Sequence, residues 1–314
     1  GNDRGRRRRV KHGAPRLAAR SLSAGWAGCI LWLEGTLGRS ILNQLKDPLI
    51  GAVIQQRYQV VRRIGSGAVV DVYLARQRTL GGRRVALRVL KPALAERDGE
   101  AGGVHRKRFM HEVQLACLFK GPAFARIVDG GVIASVPKRP FVVQELLEGP
   151  LLSELVAEAP LPWRDATALV LQLCLATEEL HSYGVLYRDY SPANVIIEIQ
   201  RGVGRMARLF DFSHATLEGV SLLDSEGSDE DLAGTPVYSA PELADRGEPP
   251  TRAADTFSLG ALLYLACSGH APVRLGPPGD WAAWSAWAQS GQSIPAVPLR
   301  AVAPKAPAAL DRIV

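Results

Sequence analysis

Three oxygen-bearing side chains carry the strongest chemical signal in this sequence. Asp189 and Asn194 lie five residues apart in Tyr187-Arg188-Asp189-Tyr190-Ser191-Pro192-Ala193-Asn194, a loop broken by Pro192, and Asp211 opens Asp211-Phe212-Ser213 seventeen residues after Asn194. Two apolar runs, 195–199 and 206–210, read as strand, turn and strand, which brings the three groups to the mouth of one hairpin. Phosphoryl transfer calls for such a set: one carboxylate to orient the attacking hydroxyl, and an amide and a second carboxylate to hold Mg²⁺ on the phosphates. Alone, the same residues also fit a hairpin with solvated turn acids. The surrounding elements decide between the two.

Those elements lie mostly upstream. Residues 58–64 and 68–75 alternate as strands around Gly65-Ser66-Gly67, and a glycine turn of this kind lets backbone N–H groups approach phosphates closely. The next strand, Val85-Ala86-Leu87-Arg88-Val89-Leu90, puts Ala86 and Arg88 on one face and Lys91 on the other. Residues 104–119 read as a helix carrying Glu112. Phe141-Val142-Val143-Gln144-Glu145-Leu146-Leu147 reads as a buried strand running into a linker at Glu148-Gly149. A long amphipathic helix over 163–183 delivers the chain to the Tyr187 stretch.

In this order the segments resemble the protein kinases. The Tyr187 stretch and Asp211-Phe212-Ser213 are similar to that family's catalytic and metal loops, Gly65-Ser66-Gly67 to its glycine-rich loop, and Val85 to Arg88 to its strand ending in lysine. Two longer segments strengthen the likeness: Gly234-Thr235-Pro236-Val237-Tyr238-Ser239-Ala240-Pro241-Glu242 and Ala254-Asp255-Thr256-Phe257-Ser258-Leu259-Gly260. The resemblance runs over 58–314 and points to a bacterial Ser/Thr-type kinase domain. It implies an α+β, bilobal protein kinase fold, with a small β-rich N-lobe at 58–146 and a helical C-lobe at 147–314. It also implies ATP and Mg²⁺ as cofactors and protein Ser or Thr hydroxyls as substrate. Carried over residue by residue, Asp189 would orient the hydroxyl beside Arg188. Asn194 and Asp211 would bind Mg²⁺, and Glu112 would pair with Arg88. Ile64, Gly65, Gly67, Val72, Ala86, Arg88, Glu145, Leu147 and Ile196 would line the nucleotide site. Gln144 would bound its back pocket, and Asp255 would buttress the catalytic loop.

Five positions depart from the family pattern. Arg88 stands for the strand lysine; its planar fork favours bidentate partners and is expected to hold Glu112 at the expense of the phosphates. Val70 replaces the third loop glycine. Tyr187 replaces the catalytic-loop histidine, Ser191 a lysine that steadies the transferred phosphate, and Ser213 the metal-loop glycine. Arginine outnumbers lysine 31 to 7 in the whole chain, so a general drift toward arginine also accounts for Arg88. Two functions follow: a Ser/Thr protein kinase, or a pseudokinase that binds nucleotide or a partner without catalysis. Between Asp211 and Glu242, the acids Asp224, Glu226, Asp229, Glu230 and Asp231 interleave with Ser221, Ser225 and Ser228. That run either pairs with Arg188 in place of an activating phosphate or stays a solvated loop.

Composition bounds the rest. The 314 residues are 47% hydrophobic and 22% charged, a globular balance. The net charge of +7 resides in residues 1–20, which hold eight Arg/Lys and one acid; the remainder carries thirty of each sign. The folded body therefore gives no case for a nucleic-acid partner. Residues 1–57 are expected to be a basic tail with a short apolar run at 21–33. That run is too short to span a membrane and reads as a packed helix, with peripheral membrane contact as the alternative. Cys29, Cys117, Cys174 and Cys267 are widely spaced, as in a reducing compartment, and the expected location is cytoplasmic. The chain begins at Gly1 and ends at Val314, where the family's final helices would start, so a partial chain with an incomplete C-lobe is expected. Trp281, Trp284 and Trp287 recur on one helical side as core packing or, alternatively, as an exposed docking patch.

Overall fold

Strand alternation builds the first half of the domain. The computed structural model describes residues 47–98, 103–134, 137–220, 235–244, 249–272, 280–290 and 297–312. The basic tail, the 21–33 run, Cys29, the acidic run 221–231 and Gly234 lie outside these residues. β1 (Val53–Ile54), β2 (Tyr58–Ser66), β3 (Val70–Gln77), β4 (Arg83–Leu90), β5 (Ile127–Ile133) and β6 (Arg139–Glu145) form one antiparallel sheet in the order β1-β2-β3-β4-β6-β5. Between β4 and β5 come α1 (Pro92–Asp98) and α2 (Val104–Ala116). One sheet face buries Tyr58, Tyr73, Leu87, Val89, Phe141 and Val143. On the other, Val70 and Val142 receive Phe109 of α2. The sheet begins sooner than the expected boundary at residue 58. Leu49 and Ile54 are buried in its core and β1 pairs with β2, so residues 49–57 belong to the folded unit that runs from Leu49, not to the tail. A two-residue strand offers too little alternation to be read from sequence.

The second half is mainly helical. α3 (Leu152–Glu158), α4 (Trp163–Ser182), α5 (Arg252–Ser268), α6 (Trp281–Gln289) and α7 (Leu299–Val302) accompany one short and one longer strand pair. These are β7 (Val185–Leu186), β8 (Val195–Gln200), β9 (Gly204–Leu209) and β10 (Thr216–Leu217), pairing as β8 with β9 and β7 with β10. α4 buries Ala166, Leu169, Val170, Leu173, Ala176 and Leu180, a spacing of three and four that forms one apolar stripe against the core. α5 buries nearly every residue from Ala254 to Ser268 except Thr256, Phe257 and Gly260, as a central helix must. The expected division into a β-rich and a helical lobe holds. Trp284 and Trp287 are buried with Ala240, Leu243 and Ala254, and Trp284 Nε1–H donates to the Ser239 carbonyl at 3.3 Å. Core packing, not an exposed patch, is their role.

Two features join the lobes behind the candidate site. The linker after β6 lies directly on β8, with Ile197 N–H donating to Pro150 O at 2.9 Å. Gly149 is needed there, because a Cβ at that position would overlap the Ile197 carbonyl. Beside it, Arg208 of β9 is 4% exposed and serves as a hub. Its guanidinium pairs with Glu145 at 2.8 Å and Glu198 at 2.6 Å, and donates to the Phe124 carbonyl at 3.1 Å. Glu198 also accepts the Glu148 N–H at 2.9 Å.

Removing one member of a buried ion pair costs about 3–5 kcal/mol when its partner stays dry. Here the Glu145 and Glu198 side chains are 29% and 13% exposed, so water recovers part of that. We expect Arg208→Met to lower the unfolding free energy by about 2–3 kcal/mol in urea titration, with Glu198→Gln added to it restoring a portion. An unchanged midpoint for Arg208→Met would show that the hub adds nothing to stability.

Candidate active site

The catalytic-loop stretch is pinned at both ends. The β7–β10 pair sets Leu186 against Thr216, and the β8–β9 register sets Val195 against Leu209. Residues 187–194 and 210–215 therefore emerge from the same end of the two hairpins. Within the first loop, Arg188 has φ +65°, a left-handed conformation that costs a non-glycine residue about 1–3 kcal/mol. A fully buried carboxylate holds it there. Asp255 of α5 accepts the Tyr187 N–H at 3.0 Å, the Arg188 N–H at 2.8 Å and His181 Nε2 at 2.8 Å. Tyr190 supplies a second anchor, its hydroxyl bonded to Thr177 Oγ1 on α4 at 2.6 Å.

These anchors shape the groups that could do chemistry. Asn194 N–H donates to Ser191 O at 3.0 Å, and its side-chain amide donates to the Asp189 carbonyl at 3.0 Å and carboxylate at 2.5 Å. The Asn194 amide nitrogen is thereby committed, which leaves its carbonyl oxygen to face a cation. Burial, then the nearby Asp211 charge, pushes the Asp189 carboxyl up to about 7, against the pull of Asn194 and Arg188. Asp211 Oδ1 accepts the Ser213 N–H at 3.0 Å, a local turn bond that fixes the carboxylate. Ser191 is 3% exposed, so the residue in the phosphate-lysine position serves the loop's own packing.

The sheet side meets this loop through Arg88. The β3–β4–β6 register places Val72 opposite Arg88 and Arg88 opposite Val142, with Leu74 opposite Ala86, so Val72, Ala86 and Arg88 share the face expected of them. Arg88 donates to Glu112 of α2, and its other terminal nitrogen lies 3.5 Å from Asp211 Oδ1. Glu112 also accepts the Phe212 backbone N–H. Burial alone would pull the Arg88 guanidinium down, but Glu112 and Asp211 outweigh it and hold it above its ordinary value. Burial lifts the Glu112 carboxyl while Arg88 draws it down. The pair is ionised, because an arginine so held has no proton to give.

The other expected site residues flank this junction. Gly65 pairs with Val72, and Gly67 N–H is already donated to the Val70 carbonyl at 2.9 Å, so Gly67 can serve a ligand only by lacking a side chain. Ile64 and Gly67 are exposed, and Leu147 and Ile196 half-buried. Glu145 spends its N–H on Arg126 O at 2.8 Å and its carboxylate on Arg208. Gln144 is buried beside Ala86. Phe212 is packed between Phe119, with ring centroids 5.6 Å apart, and Tyr187, also at 5.6 Å. Among the described residues the buried Tyr187 hydroxyl has no hydrogen-bond partner, and it lies near enough to Asp189, Asp211 and Glu112 to feel their charge. The Asn194 side-chain carbonyl and the Asp211 carboxylate are hard oxygen donors of the kind that suit Mg²⁺.

Sequence reading missed Arg208, Thr177 and Tyr190 as positioning residues. For Arg208 the available signal was a charge flanked by buried Ala207 and Leu209 in a short strand. The Thr177–Tyr190 bond joins residues thirteen apart and left no local signature.

Known proteins resemble this chain in sequence. A family model described as "Protein kinase domain" matches residues 58–282. The serine/threonine-protein kinase pkn2 of Myxococcus xanthus is 35% identical over 220 residues, 70% of this chain and 25% of that protein. The serine/threonine-protein kinase AfsK of Streptomyces griseus is 35% identical over 217 residues, 68% of this chain and 24% of that protein. PknB of Mycobacterium leprae is 31% identical over 221 residues, 70% of this chain and 33% of that protein. The chain thus spans about a quarter to a third of the length of these curated relatives. A family model that matches 58–282 of the 314 residues, with relatives at this level of identity, shows that the chain belongs to the protein kinase family.

Proposed function

We propose that this domain transfers the γ-phosphoryl group of Mg-ATP to Ser or Thr hydroxyls of proteins, and that it works in the cytoplasm, where ATP is available. The observation that carries this reading is the Asp189–Asn194–Asp211 arrangement. Asn194 is tied to Asp189 through its nitrogen, and Asp211 is close enough to raise Asp189 to about 7. A scaffold without catalysis has no need of a carboxyl so tuned, nor of two oxygen donors set for a cation.

Each residue has a defined task. Asp189 accepts a hydrogen bond from the attacking hydroxyl, orients it and can take its proton near neutral pH. Asn194 Oδ1 and the Asp211 carboxylate would hold Mg²⁺, which when bound supplies positive charge against the transferring phosphoryl group. Gly65 and Gly67 let the β2–β3 turn lie close over the phosphates. The Glu145 carbonyl and the Leu147 N–H would meet the adenine edge, with Ala86, Val72 and Ile196 against its faces. Arg88 places Glu112 and Asp211. Its two terminal nitrogens are already committed, so it offers the phosphates less than a lysine would.

Two outcomes test this. Incubation of the chain with Mg-ATP should add phosphate to Ser or Thr, read by intact mass and site mapping, and Asp211→Ala or Asp189→Asn should abolish it while the chain stays folded by circular dichroism. A folded wild-type chain that acquires no phosphate and labels no protein substrate would overturn the reading. Arg88→Lys frees a donor for the phosphates, and one charge-assisted hydrogen bond is worth about 1.5–3 kcal/mol. The KM for ATP should therefore fall about tenfold or more. An unchanged KM would mean that Arg88 already reaches the phosphates as well as a lysine does.

A further inference from the structure

The turn expected to cover the phosphates carries a valine where a third glycine is usual, and that valine is not idle. Val70 opens β3, opposite Leu90, and shares its face with Val72 and Arg88. It is 9% exposed and packs in a small cluster of its own with Phe109 of α2 and Val142 of β6, apart from the core on the sheet's other face. Val69, Val72 and Val113 border that cluster. The turn itself is closed by Gly67 N–H to Val70 O at 2.9 Å and by Lys91 N–H to Val69 O at 3.0 Å. Elsewhere α2 is held by Arg106, which donates to the Lys138 carbonyl at 2.6 Å, and by Leu115 and Ala116 in the larger core. Its buried residues are Phe109, Glu112, Leu115 and Ala116, and only the first two face this part of the sheet. Phe109 lies one turn before Glu112, so the apolar and ionic contacts follow one another on the same helical face.

We propose that Val70 is a positioning residue that fastens the β2–β3 turn to α2 through Phe109. The seating of Glu112 against Arg88 and the closed position of the turn are then a single event. A glycine at position 70 would leave the turn able to approach phosphates but would cut it loose from the helix. Val70 acts on the reaction only through Glu112 and Arg88, and touches no reacting atom. That the turn covers phosphates rests on the proposed function; that Val70 holds α2 does not.

The test is hydrogen exchange of the α2 amides in the full chain without nucleotide. Val70→Gly should speed exchange over residues 109–116 about tenfold, because the helix opens more often once its contact is lost. Val60→Ala removes a buried side chain from the opposite sheet face and should leave those amides near their wild-type rate. Val70→Ile should keep them protected. In a Phe109→Ala background, Val70→Gly should add little, since the two side chains share one contact. α2 amides in Val70→Gly that exchange as in wild type, or that rise equally in Val60→Ala, would overturn the proposal. Because no nucleotide or turnover enters this readout, a failed phosphorylation assay would leave it standing.

Discussion

The Asp255 carboxylate is the interaction on which the site depends. It is fully buried, and burial of an ionised carboxylate is tolerated only when its oxygens are hydrogen-bonded. Tyr187 N–H, Arg188 N–H and His181 Nε2 meet that need. In return the loop gains a conformation that it would not hold alone. Two hydrogen bonds to a charged acceptor, each worth about 1.5–3 kcal/mol, exceed the cost of one residue in the left-handed region. Arg188 sits at that residue, immediately before Asp189. Strain placed beside the reacting group is thus fixed by the most buried helix of the C-lobe, and everything that Asp189 and Asn194 do follows from it.

The second dependency joins the sheet to this loop. A guanidinium is a planar fork, and Arg88 uses both prongs, one on Glu112 and one on Asp211. Phe212 N–H on Glu112 adds a third link between α2 and the metal loop. A lysine ammonium is a single point and would have to divide itself between the same acids and a phosphate. The substitution therefore shifts this position from holding phosphate toward holding the protein's own acids. Whether arginine arose by general enrichment or for this task, the resulting geometry holds Glu112 and Asp211 on one guanidinium.

Much of this is legible in the sequence. Asp189, Asn194 and Asp211 announce themselves because phosphoryl transfer restricts residue types and spacing, and the hairpin between Asn194 and Asp211 fixes their meeting by register alone. The Arg88 face follows from strand alternation. What stayed hidden has a common cause: it depends on pairing across long stretches of chain. Arg208 looks like any strand arginine until β9 is packed against Glu145, sixty-three residues away. Tyr190 looks like any loop aromatic until its hydroxyl finds Thr177. The sheet's early start at Leu49 is visible only once β1 has β2 beside it, because two residues cannot show a period.

The hidden contacts and the departures from the family pattern bear on one physical question, namely how rigidly two lobes are held around a cleft. Arg208 ties the linker strand to the β8–β9 hairpin at the back of the cleft. Arg88 ties the sheet to the metal loop at its centre, and Val70 packs the glycine turn onto α2 at its front. The first and second are ionic, so each must outweigh the desolvation of a buried guanidinium. Both do so by engaging two carboxylates, whereas one partner would leave the balance near zero. The third is apolar and carries no such penalty. A cleft fastened at back, centre and front has less freedom to open than one with glycine and lysine at positions 70 and 88.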